Sequence, residues 1–228
     1  MTAIRTVLFD LDGTFADTAR DLARCLNLLL REEGREALPF ADIRPQVSHG
    51  ATALVHLGFG VDANHPDHEP LRQRLLTLYD SNLAVDTVIF DGIESLLQDL
   101  TKRGMNWGIV TNKPSRFTDP LMRALGYADR ACCIVSADTT ANKKPHPEPM
   151  LYAAAKAGSR PEQCVYVGDA QRDIEAGRNA GMATLGALFG YLGQEDDPVA
   201  WGADGLIEKP AGVLTWIETG QTGLAPGL

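Results

Sequence analysis

The chain is short of positive charge, of cysteine and of long apolar runs, and each shortage removes a class of function. Lys and Arg total 21 against 30 Asp and Glu, a formal net charge of −9, and a surface of that sign repels nucleic acid and anionic lipid. Neither nucleic acid nor membrane is expected as a partner. Only Cys25, Cys132, Cys133 and Cys164 carry thiols; none forms a Cys-x-x-Cys pair or stands at metal spacing from a histidine, so no disulfide framework or zinc site is expected. They read as buried thiols in a reducing compartment. No apolar run approaches bilayer length, and Met1 to Thr6 leads into the first strand without the basic and apolar regions of a secretory leader. A cytoplasmic location is the expectation. Nor is there a bias toward disorder, since 44% hydrophobic and 22% charged residues are ordinary for a globular protein. The 228 residues suffice for a substantial core, as one domain or as a core with an insert.

What is present is organised around Val7 to Asp17. The apolar run Val7-Leu8-Phe9 suits a strand buried on both faces, and it ends in Asp10 and Asp12 followed by Gly13 and Thr14. Open α/β sheets carry their ligands at that end of a strand. A carboxylate such as Asp10 can attack an electrophilic phosphorus to form an aspartyl phosphate, and Asp12 can protonate the leaving oxygen and later take a proton from water. Two acids repel an anionic substrate, so a cation such as Mg²⁺ is called for. Gly13 permits close backbone approach, and Thr14 offers a hydroxyl and an N–H to phosphate oxygens. The plainer alternative is that Asp10 and Asp12 cap a turn.

From Ala16 to about Val85 the spacing is helical apart from Gly58 to Pro70, which reads as a loop, and no strand is expected. Leu22, Cys25, Leu26, Leu29 and Leu30 form one stripe that stops near Gly34; Asp42 is placed to cap a short helix with Ile43 and Val47; Ala51 to Leu57 and Leu71 to Tyr79 supply two more. His56, His65 and His68 read as surface residues. Ser48 and His49 stand in a link between helices. They either reach a substrate's leaving group or serve as helix cap and solvated loop residue. An all-helical insert directly after the first strand reads as a lid that excludes water.

After Asp91-Gly92 the pattern alternates between helix and strand. Trp107 to Val110 ends in Thr111-Asn112-Lys113, a hydroxyl, an amide and an ammonium suited to phosphoryl oxygens, unless they merely make a turn. Lys113 and Arg116 extend a positive rim or form a solvated pair. Cys132 to Val135 is a third strand. Lys144, in Asn142-Lys-Lys-Pro-His-Pro147, stands before a proline that restricts its backbone and could fix a cation against the two acids; on its own the pair Lys143 and Lys144 reads rather as solvated charge. Cys164 to Val167 leads to Asp169 and, one helical turn on, Asp173, placed to share a face. Met182 to Leu188 and Gly205 to Ile207 are further strands, Val213 to Ile217 a closing helix, and 219–228 a loose tail.

Four of these blocks in this order, Asp10-x-Asp12-Gly13-Thr14, Thr111, Lys144-Pro-x-Pro and Gly168-Asp169 with Asp173, resemble the haloacid dehalogenase superfamily of phosphatases. The departures are Phe15 where Leu is usual and Ala170 where a small polar residue is common. The resemblance implies an α/β fold, a three-layer Rossmann-like core with a mainly parallel sheet over residues 1–15 and 86–228 and a small helical cap over 16–85. It implies Asp10 as nucleophile, Asp12 as acid and base, Thr111 and Lys144 as a phosphate clamp, and Mg²⁺ held by Asp10, Asp169 and the Asp12 carbonyl, with Asp173 behind them. Gly13, Thr14, Asn112, Lys113, Ser48 and His49 are then candidates for substrate contact. Over nearly its whole length the chain resembles the phosphoglycolate phosphatase branch, through Gln46-Val-Ser-His-Gly-Ala51, Trp107 to Pro114 with Arg116-Phe117, and Trp201-Gly-Ala-Asp204. The partner implied is a small phosphorylated metabolite, N-acetylmuramic acid 6-phosphate first and 2-phosphoglycolate next. A phosphomutase and a non-catalytic phosphate-binding module are the other classes that the same residues allow.

Overall fold

The computed structural model describes residues 3–219. Of the expected tail over 219–228, only Thr219 falls within them, where it closes the last helix. In chain order the elements are β1 (Thr6–Phe9), β2 (Ala16–Asp17), α1 (Ala19–Glu32), α2 (Phe40–Ile43), a 3₁₀ turn (Arg44–His49), α3 (Gly50–Phe59), α4 (His68–Ser81) and β3 (Val88–Ile89). They continue with α5 (Ile93–Lys102), β4 (Asn106–Val110), α6 (Ser115–Ala124), β5 (Ile134–Val135), α7 (Glu148–Lys156), β6 (Cys164–Gly168), α8 (Gln171–Asn179), β7 (Ala183–Ala187), β8 (Gly205–Ile207) and α9 (Gly212–Glu218).

Six strands form one sheet in the order β5-β4-β1-β6-β7-β8, and every pairing in it is parallel. The alternation of a strand's side chains divides it between two apolar layers. Val7 and Phe9 meet Leu96, Leu97, Leu121, Val213 and Trp216 from α5, α6 and α9, whereas Leu8 meets Met150, Ala153 and Ala176 from α7 and α8. That makes the three-layer α/β fold expected from the sequence. The chain runs outward from β1 to β4 and β5, then crosses to β6 and runs outward to β8. The order therefore reverses beside β1, and the loops leaving β1, β4 and β6 converge at the crevice where such sheets bind ligands.

α1, α3 and α4 bury a separate apolar cluster that includes Leu26, Leu29, Leu54, Val55 and Leu75, completed by Phe117 and Tyr191 from the α/β part. The two chain segments joining these helices to the sheet are held together. Ala16 and Asp17 pair antiparallel with Ile89 and Val88, and the fully buried carboxylate of Asp21 accepts the N–H groups of Val85, Asp86 and Thr87 and the Thr87 hydroxyl.

Several local expectations are corrected. The β2–β3 ribbon is a strand pair where none was expected, and two residues a side are too few to show a period. Asp42 lies within α2, whose N-cap is Pro39. His68 is buried, because it shares the i, i+3, i+7 stripe of α4 with Leu71 and Leu75. Cys132 is exposed and Cys133 half-buried, since β5 begins only at Ile134.

Candidate active site

Asp10 is the first residue beyond β1, and its N–H extends the ladder to the Val167 carbonyl at 2.9 Å. Its side-chain Oδ1 accepts the Leu11 N–H at 2.7 Å and lies 2.9 Å from Lys144 Nζ. Lys144 is buried. Its ammonium also reaches Asp173 Oδ1 at 2.7 Å, the Tyr166 hydroxyl at 2.8 Å and the Val110 carbonyl at 3.1 Å. A buried cation is tolerable only with such partners. Asn112 fixes the main chain that presents it, donating to the Lys144 carbonyl at 2.9 Å and accepting the Lys144 N–H at 3.0 Å.

One oxygen each from Asp10, Asp169 and Asp173 lie within 4.8 Å of one another, and all three residues are buried. Burial, and then the charges of Asp10 and Asp173, push the Asp169 carboxyl up to about 7, against the opposing pull of the Tyr191 N–H and the Ser48 hydroxyl. Burial likewise raises Asp173, with Lys144 opposing and Asp10 adding to the rise. Three buried carboxylates face two cations, Lys144 between Asp10 and Asp173 and Arg172 near all three, an excess of negative charge that a divalent cation would relieve. An all-oxygen donor set of this kind fits a hard ion such as Mg²⁺. Gly13 is what lets the chain pass: its φ is +82°, and a Cβ there would stand 2.1 Å from Asp169 Oδ2.

Asp12 Oδ1 accepts the Thr18 hydroxyl at 2.5 Å and the Lys113 ammonium at 2.9 Å. Lys113 lies 4.6 Å from the centre of the Tyr79 ring. Burial, the largest single influence, presses that ammonium down, but the charges and hydrogen bonds of Asp12 and Tyr79 together outweigh it and the net shift is upward. Thr111 is buried at the end of β4, and its hydroxyl accepts the Lys113 N–H at 3.2 Å. Thr14 is fully buried, with its hydroxyl 3.4 Å from Asp169 Oδ1, a position behind the carboxylate and not on the cavity wall.

The turn between α2 and α3 closes over this group. Ser48 Oγ donates to Asp169 Oδ2 at 2.8 Å, and Arg172 donates to the Ser48 carbonyl at 2.6 Å. Ser48 is thus tied to a core acid instead of capping α3, whose N-cap is His49. Beneath the turn lies a cavity of about 530 Å³, lined on the core side by Asp10, Asp12, Thr111, Asn112, Lys113 and Lys144 and on the helical side by Ser48, His49, Arg72 and Tyr79. Of the residues singled out from the sequence, Asp10, Asp12, Thr111, Asn112, Lys113, Lys144, Ser48 and His49 share this cavity, while Asp169 and Asp173 lie just behind it. Arg116 does not join it; exposed, it lies over the Phe117 ring at 4.4 Å.

The profile of the family described as haloacid dehalogenase-like hydrolase matches residues 7–187, which span every acid and lysine of the cavity floor. The chain belongs to that family. As a family member it is a hydrolase of phosphoric monoesters, a class its relatives share. It is 42% identical over 207 residues to the N-acetylmuramic acid 6-phosphate phosphatase of Pseudomonas aeruginosa, covering 91% of this chain and 92% of that one. To the phosphoglycolate phosphatase of Xanthomonas campestris it is 44% identical over 207 residues, covering 90% of this chain and 93% of the other. The fold is similar to that of a Haemophilus somnus protein described as a predicted phosphoglycolate phosphatase, with a TM-score of 0.82 at 25% identity over 94% of this chain and 98% of that one.

Sequence reasoning missed Arg172, Thr18, Tyr166 and Tyr191. Arg172 had a signal, since it stands between Asp169 and Asp173 on the first turn of α8. Tyr166 and Tyr191 had none, because nothing local distinguishes a tyrosine that binds a lysine or a carboxylate from one that fills a core.

Proposed function

We propose that the chain is a Mg²⁺-dependent phosphatase that works through an aspartyl phosphate on a small sugar phosphate, with residues 16–85 acting as its cap. The observation that carries this reading is the Asp10–Lys144 contact at 2.9 Å on a cavity floor shared with Asp12: a carboxylate beside a fixed cation can take up a phosphoryl group without net repulsion. Asp10, Asp169 and the Asp12 carbonyl would hold Mg²⁺, with Asp173 supporting through Lys144. Bound there, the ion supplies positive charge to the phosphoryl oxygens. Asp10 attacks phosphorus as Asp12 delivers a proton to the departing oxygen, releasing the alcohol. Asp12 then takes a proton from water, whose oxygen attacks the same phosphorus, freeing Asp10 and inorganic phosphate. Thr111, Asn112 and Lys113 line the wall along which the phosphoryl oxygens would lie.

Cavity size favours a sugar. With the Ser48 turn already docked, about 530 Å³ remains, within the range of small-molecule sites, and a two-carbon phosphoacid would leave much of it to water. N-acetylmuramic acid 6-phosphate, a part of cell-wall recycling, is large enough to take up more of that space. A second reading, 2-phosphoglycolate, is favoured by the relatives at 44% identity that carry that name.

The deciding assay measures inorganic phosphate from N-acetylmuramic acid 6-phosphate, 2-phosphoglycolate and hexose 1-phosphates with Mg²⁺, for the native chain and Asp10→Asn. Turnover highest on the first substrate and abolished in Asp10→Asn is the expected result. Phosphate release surviving in Asp10→Asn would remove the nucleophile from the scheme. Isomerisation of a hexose phosphate with little phosphate released would make the protein a mutase, and no Mg²⁺-dependent turnover at all would leave a binding module.

A further inference from the structure

Tyr191 stands outside every motif described above, yet it touches each part that would have to move when a cap closes. Its backbone N–H donates to Asp169 Oδ2 at 2.9 Å. Its hydroxyl accepts the N–H groups of Thr18 at 2.7 Å and Ala19 at 3.0 Å, and donates to Asp17 Oδ1 at 2.8 Å, which uses the full capacity of a phenol. Those three residues lead from the sheet into α1. The ring lies 6.2 Å from Phe90, on the segment that leads back to the sheet. The guanidinium of Arg44, in the turn that carries Ser48, lies 4.9 Å from the ring centre. Tyr191 itself is buried.

Gly190 shows that the arrangement is built and not incidental. A Cβ at 190 would stand 2.2 Å from Asp169 Cβ and 2.7 Å from the Gly13 carbonyl, so no side chain can be placed there while the Tyr191 N–H keeps its bond to the carboxylate. The same oxygen, Asp169 Oδ2, accepts Ser48 Oγ from the cap turn. Two donors therefore hold this oxygen of Asp169, one from the cap and one from the residue on which the cap's connecting segments rest.

We propose that Tyr191 is a positioning residue that pins the cap's hinge to Asp169, so that cap position and the orientation of this carboxylate toward its cation are coupled. The inference rests on the reading of Asp169 as a Mg²⁺ ligand. Coupling of this kind is reciprocal: whatever loosens the hinge weakens the cation, and the cation in turn favours the docked cap.

The test is calorimetric titration of the full chain with Mg²⁺ alone, for the native protein, Tyr191→Phe, Asp17→Ala and Asp169→Asn. Tyr191→Phe keeps the ring and the N–H and removes only the hydroxyl that grips the hinge. It is expected to weaken Mg²⁺ by about tenfold, the low end for groups that orient a metal ligand. The KM for a cap-filling sugar phosphate should rise, while kcat at saturating Mg²⁺ and substrate stays within about threefold. Asp17→Ala removes the hydroxyl's acceptor without touching the buried ring, so it reports even if Tyr191→Phe fails to fold, and a shift in the same direction is expected. Mg²⁺ affinities of both variants within twofold of native, with binding lost in Asp169→Asn, would overturn the coupling and leave the metal site standing. Native affinity in Asp169→Asn would overturn the metal site itself, and the coupling with it.

Discussion

At the scale of single residues, Lys144 carries the greatest electrostatic burden. Its ammonium stands between two buried carboxylates, Asp10 at 2.9 Å and Asp173 at 2.7 Å. Lys144→Met keeps the length of the side chain and removes the charge in direct contact with both acids, leaving them only the charge of Arg172. Urea denaturation should show a loss of about 3–5 kcal/mol, the usual cost of breaking a buried pair from one side, and phosphate release should fall by about 10² or more. Lys144→Arg should not restore it, since a planar fork cannot occupy the place of a compact ammonium. Asp10 and Asp12 were legible because acids directly after an apolar strand are chemically conspicuous. Lys144 was legible only through its Lys-Pro-x-Pro context, and the pairing of Lys113 with Asp12 not at all. Residues 101 positions apart meet through sheet order, which local pattern does not encode.

At the scale of elements, periodicity foretold what was long and one-sided, and failed on what was short. α1, α5 and α6 bury clean stripes, so their helical spacing could be read directly. The β2–β3 ribbon and the 3₁₀ turn over Arg44–His49 are held by tertiary partners, Asp21 and Asp169 among them, that no window of sequence contains. A charged group tying two elements makes one such partner testable. Glu94 of α5 accepts Tyr127 at 2.8 Å and Arg130 at 2.9 Å from the segment after α6. Its bond to Arg130, then those to Gln98 and Tyr127, lower its carboxyl to about 2. A group whose native pKa is depressed contributes stability above its unfolded value and loses it as pH falls toward the native one. Between about pH 4.5 and pH 2 the native protein should therefore lose melting temperature faster than Glu94→Gln, and parallel acid limbs in the two would show that the link contributes nothing. The side chain is exposed enough for solvent to screen much of the effect, so the difference in slope should be small and should shrink further in salt.

At the scale of the whole molecule, a chain of net charge −9 has to admit a dianionic ester. Lys113, Lys143, Lys144, Arg72 and Arg172 line the cavity together with Asp10 and Asp12, but most of that positive charge is already paired, Lys113 with Asp12, Lys144 with Asp10 and Asp173, and Arg72 with Glu69. A divalent cation at the acid cluster would tip the balance toward attracting an anion. The cations divide by origin. In the proposed reading, the lysines of the sheet loops would meet the phosphate ester, whereas His49 and Arg72, the latter paired with Glu69, come from the helical part and would meet the remainder of the substrate. Recognition of the ester and recognition of the leaving group would then fall to different halves of the fold. His49→Ala should lower kcat/KM for a sugar phosphate by up to about tenfold, the worth of one hydrogen bond to the leaving group, and leave a small generic ester such as p-nitrophenyl phosphate within about twofold. Equal losses on both esters would mean that His49 acts on the phosphoryl end, and the division of labour between sheet loops and helices would fail with it.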